Sequence, residues 1–524
     1  MSDYAVCQRS SSKGARPVSR SALDVSQKDD FPAWYQAAVR EADLAEESGV
    51  RGCMIIKPWG NGLWERMKAI LNAEIEATGH ENCYFPVLIP LKHFEQEAQH
   101  VEGFAKEMAV VTHHRLKVID GKLQPDPEAR LEEPLIVRPT SETIIGSAMS
   151  RWVRSYRDLP LLLNQWANVM RWEMRPRMFL RTSEFLWQEG HTAHVDEKDA
   201  MEETERMLGV YRDFAVDALA LPVVDGRKPE HERFPGAVET LTIEAMMRDG
   251  KALQSGTSHY LGTNFARAQN IQYQDQQGEW KHAHTTSWGL STRMIGAVIM
   301  AHGDDDGLRL PPRVAPQQVV IIPMLKGAPE DEKIADYCAE LARSLVGQEV
   351  FGEAIRVRVD LDQDKPQNKR WRWVKKGAPI ICEIGPRDVE NAKVAFLRRD
   401  TLRTEEGKIN SHFVERVDFP AMAAEILAEI QTGLYARADA FLKAHTHTVA
   451  SFEEMVELFG SGEPAWARVS WSRPTGAALE TIVKRLKEHQ LTVRVAPFDQ
   501  GEIGQTCIFT GETAVETIVV AKAY

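Results

Sequence analysis

The chain has 524 residues, 43% of them hydrophobic and 8% aromatic, and its 64 basic and 76 acidic residues give a net charge of −12 at pH 7. This length and composition predict a globular protein of about two to four domains and exclude an intrinsically disordered chain. The excess of acidic residues also excludes nonspecific binding of polyanions by the protein surface as a whole. Any contact with a nucleic acid therefore requires a local basic surface.

Residues 1–30 contain no apolar segment of the kind that a secretory signal requires, and we expect a flexible leader here. No run of 18 apolar residues occurs in the sequence, so no membrane span is predicted. The six cysteines are scattered without a CxxC pair, which indicates a reducing compartment and a cytoplasmic protein.

Residues 31–310 are predicted to form one α+β domain. Amphipathic helical spacing occurs in PAWYQAAVREADLAEE, LWERMKAILNAEIEATGH, SETIIGSAMSRWVRSY and EKDAMEETERMLGVYRDFAVDALAL. Strand-like runs lie between these helices at YFPVLIPL, VMRWEM, FLRTSEFLWQEG and HAHTTSWGL. This mixture indicates an antiparallel sheet covered by helices.

A segment rich in glycine, proline and charge, GDDDGLRLPPRVAPQQ, marks the next domain boundary, and its aspartates at 304–306 are expected to be hydrated surface. Beyond it, alternating strands and helices predict an α/β domain with a mainly parallel sheet over residues 311–425. Residues 426–524 are predicted to form a small α+β module.

The stretch KPQNKRWRWVKK at residues 365–376 has six basic residues, two tryptophans and no acidic residue. We predict a surface that contacts RNA, because cations bind phosphates and exposed aromatic rings stack on bases. The alternative is that the tryptophans face the core and only the charges are exposed.

Residues 168–191, NVMRWEMRPRMFLRTSEFLWQEGH, contain four arginines and three glutamates between strand-forming segments. The planar guanidinium group of arginine can bind two phosphate oxygens at once, and the ring face of phenylalanine can stack on adenine. A strand carrying Arg171 and Glu173, followed by Arg181 and Phe185, therefore suits a hairpin that holds a nucleotide. Taken alone, this stretch is also compatible with a solvated hairpin that has cross-strand ion pairs.

This stretch resembles motif 2 of the class II aminoacyl-tRNA synthetases, and two other pieces occur in the expected order around it. GHENCYFPVLIP, with Pro86, resembles motif 1, and GLSTRMIGAVI, with Arg293 at the start of its helix, resembles motif 3. RPTSET at 138–143 is similar to the TxE loop of prolyl-tRNA synthetases. FLWQEGH, QSGTSH and TTSWG also resemble that family, in its archaeal and eukaryotic-like form.

The resemblance implies an α+β class II catalytic domain over residues 31–310, an α/β anticodon-binding domain over 311–425 and a C-terminal module over 426–524. The implied activity is ATP-dependent activation of L-proline to prolyl-adenylate and transfer of the prolyl group to the 3′ end of tRNA(Pro). The implied partners are ATP with Mg²⁺, L-proline, tRNA(Pro) and a second copy of the chain, in a homodimer built on motif 1.

The resemblance also implies roles for individual residues. Those implied to bind proline are Thr140, Glu142, Arg171, Trp187, Glu189, His191 and His259. Those implied to bind ATP are Arg171, Glu173, Arg181, Phe185, Gln254, Thr257, Ser291 and Arg293, with Gln254 a candidate magnesium contact. Arg171 and Arg293 would be catalytic, since the proline carboxylate is already an anion and the reaction needs positioning and charge neutralisation rather than a base.

Two features depart from the family pattern. Many relatives carry a cysteine-ligated zinc in the C-terminal module, but VSWSRPTGAALE contains no cysteine and TCIFTGET keeps only Cys507, so no zinc is expected. Motifs 2 and 3 are separated by only about a hundred residues, which leaves no room for the large editing insertion of the bacterial form.

Two other functions stay open from the sequence. One is a synthetase of the same subclass for another amino acid such as threonine, although the pocket lacks the cysteine and two histidines of the zinc-using threonyl form. The other is a non-enzymatic paralogue, for which loss of Arg171 or Arg293 would be expected, yet both are present.

The run VETIVVAKAY has an apolar strand pattern that continues to Tyr524, which predicts a docked end. Tyr524 would pack either on its own domain or, as the resemblance implies, against the catalytic domain.

Overall fold

The structure, a computed structural model, describes residues 21–95, 108–329 and 331–524. Its α-helices are α1 (Phe31–Glu41), α2 (Pro58–Ala77), α3 (Leu91–Glu95), α4 (Glu142–Trp152), α5 (Glu197–Asp213), α6 (Asn264–Gln269), α7 (Arg293–His302), α8 (Asp331–Val346), α9 (Pro366–Lys376), α10 (Pro386–Glu390), α11 (Phe419–Ala444), α12 (Phe452–Gly460) and α13 (Gly476–Glu488). Shorter helical turns lie at Pro127–Ala129, Tyr156–Asp158, Phe214–Ala218 and Glu230–Glu232.

The strands are distributed along the whole described chain. They are β1 (Ala45–Glu47), β2 (Met54–Ile56), β3 (Glu81–Asn82), β4 (Leu88–Pro90), β5 (Ala109–His113), β6 (Leu116–Ile119), β7 (Lys122–Pro125), β8 (Arg130–Val137), β9 (Leu161–Met170), β10 (Glu184–His194), β11 (Val224–Arg227), β12 (Glu239–Met246), β13 (Ala252–Gly262), β14 (Gln272–Gln274), β15 (Trp280–His282), β16 (His284–Ser291), β17 (Val319–Pro323), β18 (Glu349–Val350), β19 (Glu353–Ala354), β20 (Val357–Val359), β21 (Ile380–Ile384), β22 (Lys393–Arg398), β23 (Ser411–Glu415), β24 (Thr446–Thr448), β25 (Trp466–Trp471), β26 (Thr492–Pro497) and β27 (Glu516–Ala521).

An eleven-stranded sheet runs through the molecule in the order β24-β25-β27-β26-β11-β12-β13-β16-β10-β9-β3. From β11 to β9 neighbouring strands are antiparallel. Helix α5 packs across β12, β13 and β16, because its buried residues Met207, Leu208 and Tyr211 recur at helical spacing. The predicted α+β fold, an antiparallel sheet covered by helices, is confirmed.

The second sheet has the order β20-β17-β21-β22-β23. Its strands β20, β17 and β21 are parallel, whereas β22 and β23 are antiparallel to their neighbours. The sheet is therefore only half parallel. The physical reason is that α10 and a few flanking residues, between β21 and β22, are too short for a crossover to a parallel strand.

The predicted domain boundary between residues 425 and 426 lies inside a helix, because α11 runs from Phe419 to Ala444. The C-terminal module is also joined to the sheet of the first domain, since β26 pairs with β11 at Gly226 and Arg227. A Cβ atom at Gly226 would lie 2.1 Å from the Ala496 carbonyl oxygen, so the close approach of these strands requires glycine there.

The expected flexible leader is wrong for residues 21–30, while residues 1–20 lie outside the described residues. The Leu23 side chain is 1% exposed, and its backbone N–H donates to the Asp305 carbonyl at 3.0 Å. The backbone N–H groups of Ala22 and Gln27 donate to the carboxylates of Asp306 and Asp305, respectively. The segment is thus bound to the turn that follows α7.

The expectation that residues 304–306 are hydrated surface is also wrong. Asp304 forms ion pairs with Arg309 and Arg399, and Arg403 donates to both carboxylate oxygens of Asp306 at 2.6 and 2.8 Å. Burial raises the pKa of Asp304, but the two arginines outweigh it and lower that pKa to about 2. Since Arg399 and Arg403 belong to the second domain, this turn binds the two domains together.

The basic helix α9 is less exposed than its composition predicts. All five basic side chains within it pair with carboxylates, among them Lys375 with Glu41 of the first domain at 2.8 Å. Lys369 is 2% exposed and its Nζ donates to the Asp360 carbonyl, while Trp373 is buried and its Nε1 donates to the Asp360 carboxylate. Lys369 and Trp373 are therefore not exposed as the prediction of an RNA surface requires, whereas RNA contact by the partly exposed Arg370, Arg372 and Lys375 stays a prediction.

Tyr524 packs on the first domain rather than on its own module. Its hydroxyl donates to Asp249 Oδ2 at 2.7 Å, and the ammonium group of Lys251 lies 4.9 Å from its ring centre. Its backbone N–H donates to the Ala252 carbonyl.

Within the described residues, no helix combines the length and the apolar character that a membrane crossing needs.

Candidate active site

A cavity of about 480 Å³ lies on β10, β13 and β16 beside the N-terminus of α7. The register of the sheet brings its lining together, because Trp187 faces Ser291 across β10 and β16, and Thr257 faces Gly289 across β13 and β16. All the site residues predicted from the sequence line this one cavity: Thr140, Glu142, Arg171, Glu173, Arg181, Phe185, Trp187, Glu189, His191, Gln254, Thr257, His259, Ser291 and Arg293.

Arg171 directly follows the end of β9 at Met170, so the prediction that it lies on a strand is wrong. Its Nε donates to the Pro139 carbonyl at 2.8 Å, and its guanidinium group lies 5.2 Å and 5.7 Å from the ring centres of Trp187 and Phe185. Burial lowers its pKa to about 10, so the group stays cationic at neutral pH. These contacts fix a positive charge in the cavity wall.

The segment between β9 and β10 also carries Glu173 and Arg181, and Glu173, predicted to lie on the strand, likewise lies beyond the end of β9. The N–H of Glu173 donates to Ser183 Oγ at 3.1 Å, and its Oε1 accepts from the N–H of Arg175 at 2.7 Å. The backbone of Arg181 pairs with that of Arg177, while its side chain is exposed. The segment is a tight loop that brings charged side chains to the cavity.

Glu189 and His191 form a buried pair on one face of β10. His191 Nε2 lies 3.1 Å from Glu189 Oε2, which also accepts from the N–H of Ser141, and Glu189 Oε1 accepts from Gln165. Burial raises the pKa of Glu189, but the bonds from His191 and Ser141 outweigh it and hold that pKa below its usual range. Burial lowers the pKa of His191, but Glu189 outweighs this and raises it.

Glu142 begins α4, where its N–H lies 3.4 Å from the hydroxyl of Thr140, and its side chain is 7% exposed. Burial raises the pKa of this carboxyl group, although His191, Ser287 and Arg171 oppose the shift. Its Oε1 is buried and has no hydrogen-bond partner among the described residues. A buried carboxylate oxygen is costly without a donor, so Glu142 is positioned to receive a cationic N–H group from a ligand.

His259 contributes a neutral side chain to the same end of the cavity. Its Nδ1 lies 3.0 Å from Thr240 Oγ1, and its ring centre lies 4.8 Å from that of Phe234. Burial lowers its pKa to about 3, so the imidazole is uncharged at neutral pH. Together with the rings of Phe234 and Trp187, it supplies a largely apolar lining beside the charged Glu142.

Arg293 is the first residue of α7 and follows the end of β16. Its Nε donates to the Leu180 carbonyl at 3.2 Å, its Nη1 donates to the Gln254 carbonyl at 3.4 Å, and its N–H donates to Ser291 Oγ. Burial lowers its pKa. Because a helix N-terminus carries a partial positive charge, this corner of the cavity, which Thr257 also lines, suits phosphate anions.

Gln254, the predicted magnesium contact, is half-buried in the cavity wall. Among the described residues, no three or more His, Cys, Asp or Glu side chains are grouped so as to hold a metal ion. Magnesium bound with a nucleotide takes most of its ligands from phosphates and water. An amide oxygen beside the phosphate corner therefore fits an ion that arrives with the nucleotide.

Cys507, the one cysteine kept from the zinc-domain pattern, is buried in the C-terminal module. Burial raises the pKa of its thiol, but hydrogen bonds from the Thr510 and Ser472 side chains outweigh it and lower that pKa. A tetrahedral zinc site requires further thiolates or imidazoles, and within the described part of the chain Cys507 belongs to no group of three or more possible metal ligands.

The sequence analysis missed a buried ionic cluster at the cavity. Lys228 lines the cavity, and its Nζ donates at 2.7 Å to Glu244, which is fully buried on β12. Arg494 of the C-terminal module binds the same carboxylate. The sequence does contain a signal of this cluster, because an acidic residue inside the apolar run TLTIEAM requires a buried partner. The sequence does not indicate which residue that partner is.

Two family models match the chain. Residues 125–302 match the class II core domain of the tRNA synthetases for Gly, His, Pro, Ser and Thr, and residues 318–417 match an anticodon-binding domain. The first match contains the whole candidate site. The second coincides with the half-parallel sheet and its helices.

Curated relatives match nearly the whole chain. A proline–tRNA ligase of Sphingopyxis alaskensis is 61% identical over 97% of both chains, and one of Sphingomonas elodea is 59% identical over 96% of this chain and 99% of that one. Among solved structures, prolyl-tRNA synthetase of Cryptosporidium parvum, complexed with halofuginone and AMPPNP, superposes with a TM-score of 0.86 at 33% identity. That match covers 96% of this chain and 97% of that one.

Proposed function

Because the chain belongs to the prolyl-tRNA synthetases, a family of class II aminoacyl-tRNA synthetases, we propose that the cavity described above is where L-proline and ATP react. The enzyme activates L-proline with ATP to prolyl-adenylate and transfers the prolyl group to the 3′ end of tRNA(Pro). One observation carries the assignment of the site: a buried carboxylate oxygen of Glu142 without a partner among the described residues shares the cavity with the arginines Arg171 and Arg293.

Proline fits this charge distribution because it is a zwitterion. Its secondary ammonium group would bind Glu142 and Thr140, and its ring would lie against His259 and Trp187. Glu189 holds His191 in place, and His191 in turn faces Glu142. A carboxylate that meets a partly buried cation keeps that cation charged and disfavours neutral rings.

The ATP phosphates would lie between Arg171 and the N-terminus of α7. A proline carboxylate oxygen attacks the α-phosphorus, and the bond from that phosphorus to the pyrophosphate oxygen breaks. Arg171 would bind the carboxylate and the α-phosphate, while Arg181 and Arg293 would bind the departing phosphates. The remaining proposed nucleotide contacts are Glu173, Phe185, Gln254, Thr257 and Ser291.

ATP enters these reactions with a divalent metal ion, generally magnesium, which neutralises phosphate charge when bound. We propose Gln254 as a protein contact of that ion. Its position beside Arg293 supports this assignment.

We further propose that the enzyme is of the archaeal and eukaryotic-like form, without the editing insertion, and that it works in the cytoplasm. The helix α5, the turn at residues 214–218, strands β11 to β15 and helix α6 account for the chain between β10 and β16, which supports the absence of an inserted domain. The free thiols of the described cysteines support a reducing compartment.

The proline pocket can be tested by replacing Glu142 with glutamine, which keeps the shape of the side chain and removes its charge. Proline, threonine and alanine are compared in amino-acid-dependent ATP–pyrophosphate exchange. The wild type should prefer proline, and Glu142→Gln should raise the KM for proline about tenfold to a hundredfold with little change in the KM for ATP. In the wild type, the KM for proline should also rise as pH falls through the raised pKa of Glu142, and the variant should lose this dependence.

The matched control for Glu142→Gln is Glu132→Gln on β8, whose side chain is exposed, and it should behave as the wild type. A Glu142→Gln enzyme with an unchanged KM for proline would contradict the assigned role. Equal rates of ATP–pyrophosphate exchange with threonine and with proline would contradict the proposed specificity for proline.

We propose that the enzyme is a homodimer without bound zinc. On or near the three-stranded sheet β4-β8-β5, whose edge strand β4 belongs to motif 1, exposed apolar side chains are Tyr84, Leu88, Val110 and Trp152, at 75%, 37%, 53% and 49%. Such apolar surface favours an interface. Native mass spectrometry of the purified protein should give the mass of two chains without added zinc. A monomer at micromolar concentration, or one zinc per chain, would overturn the respective part of the proposal.

A further inference from the structure

Glu244 is a fully buried carboxylate that binds two cations. Lys228 Nζ donates to its Oε1 at 2.7 Å, and Arg494 donates to it through Nη2 at 2.9 Å and through Nε at 3.2 Å. The cluster of Lys228, Glu244 and Arg494 therefore carries a net charge of +1 in a buried position. Glu232 also lines the cavity and acts to raise the pKa of Lys228, but it is half-exposed and its effect is smaller than that of Glu244. An excess of buried positive charge is unfavourable in a protein interior, so an anion bound in the cavity would stabilise the cluster.

The cluster lies behind the phosphate corner of the cavity. Lys228 lines the cavity itself. Glu244 pairs in register with Gln254 on the neighbouring strand, and the Gln254 carbonyl accepts from Arg293. Burial lowers the pKa of Arg293, and the charges of Glu244 and Arg494 both act on that pKa, which reflects how close the cluster is.

Arg494 comes from the C-terminal module, 250 residues away from Glu244 in sequence. Its strand β26 pairs with β11 at Gly226 and Arg227, directly before Lys228. The module thus supplies a side chain to the cluster and also orders the backbone that leads to Lys228. If Arg494 were absent, Lys228 would be the remaining cation on Glu244, and the pair would have no net charge.

We propose that Lys228 is a further binding residue for the ATP phosphates and that Arg494 is its positioning residue. Arg494 and Lys228 both bind the Glu244 carboxylate, so the cluster keeps an excess positive charge. The Lys228 ammonium group can then donate to a phosphate oxygen as well as to Glu244. This inference rests on the proposed function in placing ATP in the cavity. It gives the C-terminal module a part in ATP binding.

A purely structural role is the competing explanation, since buried ion pairs also join domains. The test is therefore the binding of Mg–ATP to the full-length protein, measured by calorimetry without proline. Lys228→Met and Arg494→Met each leave Glu244 with one cation, so both variants should fold, and each should weaken Mg–ATP binding about tenfold. Arg494→Lys restores the charge and should recover most of the affinity.

Arg468→Met is the matched control, because it removes a half-exposed arginine of the same module that binds the Asp499 carbonyl away from the cluster. It should bind Mg–ATP as the wild type does. The KM for proline should stay within about twofold in Lys228→Met and Arg494→Met, since the change is confined to the phosphate end.

Unchanged Mg–ATP affinity in Lys228→Met or Arg494→Met would overturn the inference, whether or not the melting temperature falls. Failure of Arg494→Lys to recover affinity would overturn the charge argument. Because Mg–ATP binding is measured without an amino acid, a wrong assignment of the proline pocket would appear in the exchange assay and leave this result unaffected.

Discussion

Replacing Arg293 with alanine is expected to lower proline-dependent ATP–pyrophosphate exchange about a thousandfold. The guanidinium group is fixed by the carbonyls of Leu180 and Gln254 at the N-terminus of α7, so it is already oriented before the nucleotide binds. A preorganised charge stabilises the departing pyrophosphate without further rearrangement, and alanine removes it completely. Exchange kinetics with saturating proline would measure the loss.

Two variants make this result specific to the charge and the geometry of Arg293. Arg293→Lys keeps the charge but loses the planar fork, so it should recover only part of the rate. Arg267→Ala removes an exposed arginine bound to Thr263 and should leave exchange unchanged. A folded Arg293→Ala enzyme that exchanges pyrophosphate at nearly the wild-type rate would refute the role proposed for this residue.

Arg171→Ala is expected to cause a loss of similar size, about a thousandfold, but through both substrates. The proposed role of Arg171 is to hold the proline carboxylate against the α-phosphate, so the variant should raise the KM for proline and the KM for ATP as well as lower kcat. Its contacts with Pro139, Phe185 and Trp187 hold that geometry. Full kinetics in both substrates would show this pattern.

Thermal unfolding must accompany this measurement, because alanine also leaves a gap beside two aromatic rings. Arg171→Lys should fill much of that gap and yet remain strongly impaired, since lysine cannot bind a carboxylate and a phosphate through a planar fork. Arg154→Ala, at an exposed position, is the control. An Arg171→Ala enzyme that is impaired for proline alone, with normal ATP kinetics, would contradict the double role.

The alternatives left open by the sequence are excluded by the relatives rather than by the cavity. A threonine enzyme would use the same phosphate arginines, and a non-enzymatic paralogue could share the whole fold. Identity of 61% to a proline–tRNA ligase over 97% of both chains decides between them.

The helix α9 shows why local composition does not reveal ion pairing. The six basic residues of the segment 365–376 have no acidic neighbour within it, so the segment looks like an exposed cationic surface. In the fold, its partners Glu41, Asp43, Asp360 and Glu383 come from elsewhere in the chain. Glu41 and Asp43 belong to the first domain, so their pairing with Lys375 and Lys376 follows from domain packing. Asp360 and Glu383 are brought to α9 by the second sheet, since Asp360 follows β20 and Glu383 lies on β21.

The sequence by itself determined the features that depend on neighbouring residues. Helical periodicity placed α5 and α9, and the motif residues from Thr140 to Arg293 all line one cavity. These predictions are correct because side-chain periodicity and motif spacing depend on residues that lie within a few turns or strands of one another in the chain. Local pattern was insufficient at Arg171 and Glu173, because β9 ends at Met170, four residues before the end of the predicted strand run VMRWEM.

The tertiary structure alone decided which distant charges meet. Glu244 is bound by Lys228 and by Arg494 across 250 residues, and Asp304 is bound by Arg399 across 95. A buried charge is tolerated only when the fold supplies its partner, and the partner is selected by how strands and domains pack against one another. Sequence could therefore indicate that such residues need partners, but the identity of each partner followed only from the packing of the domains.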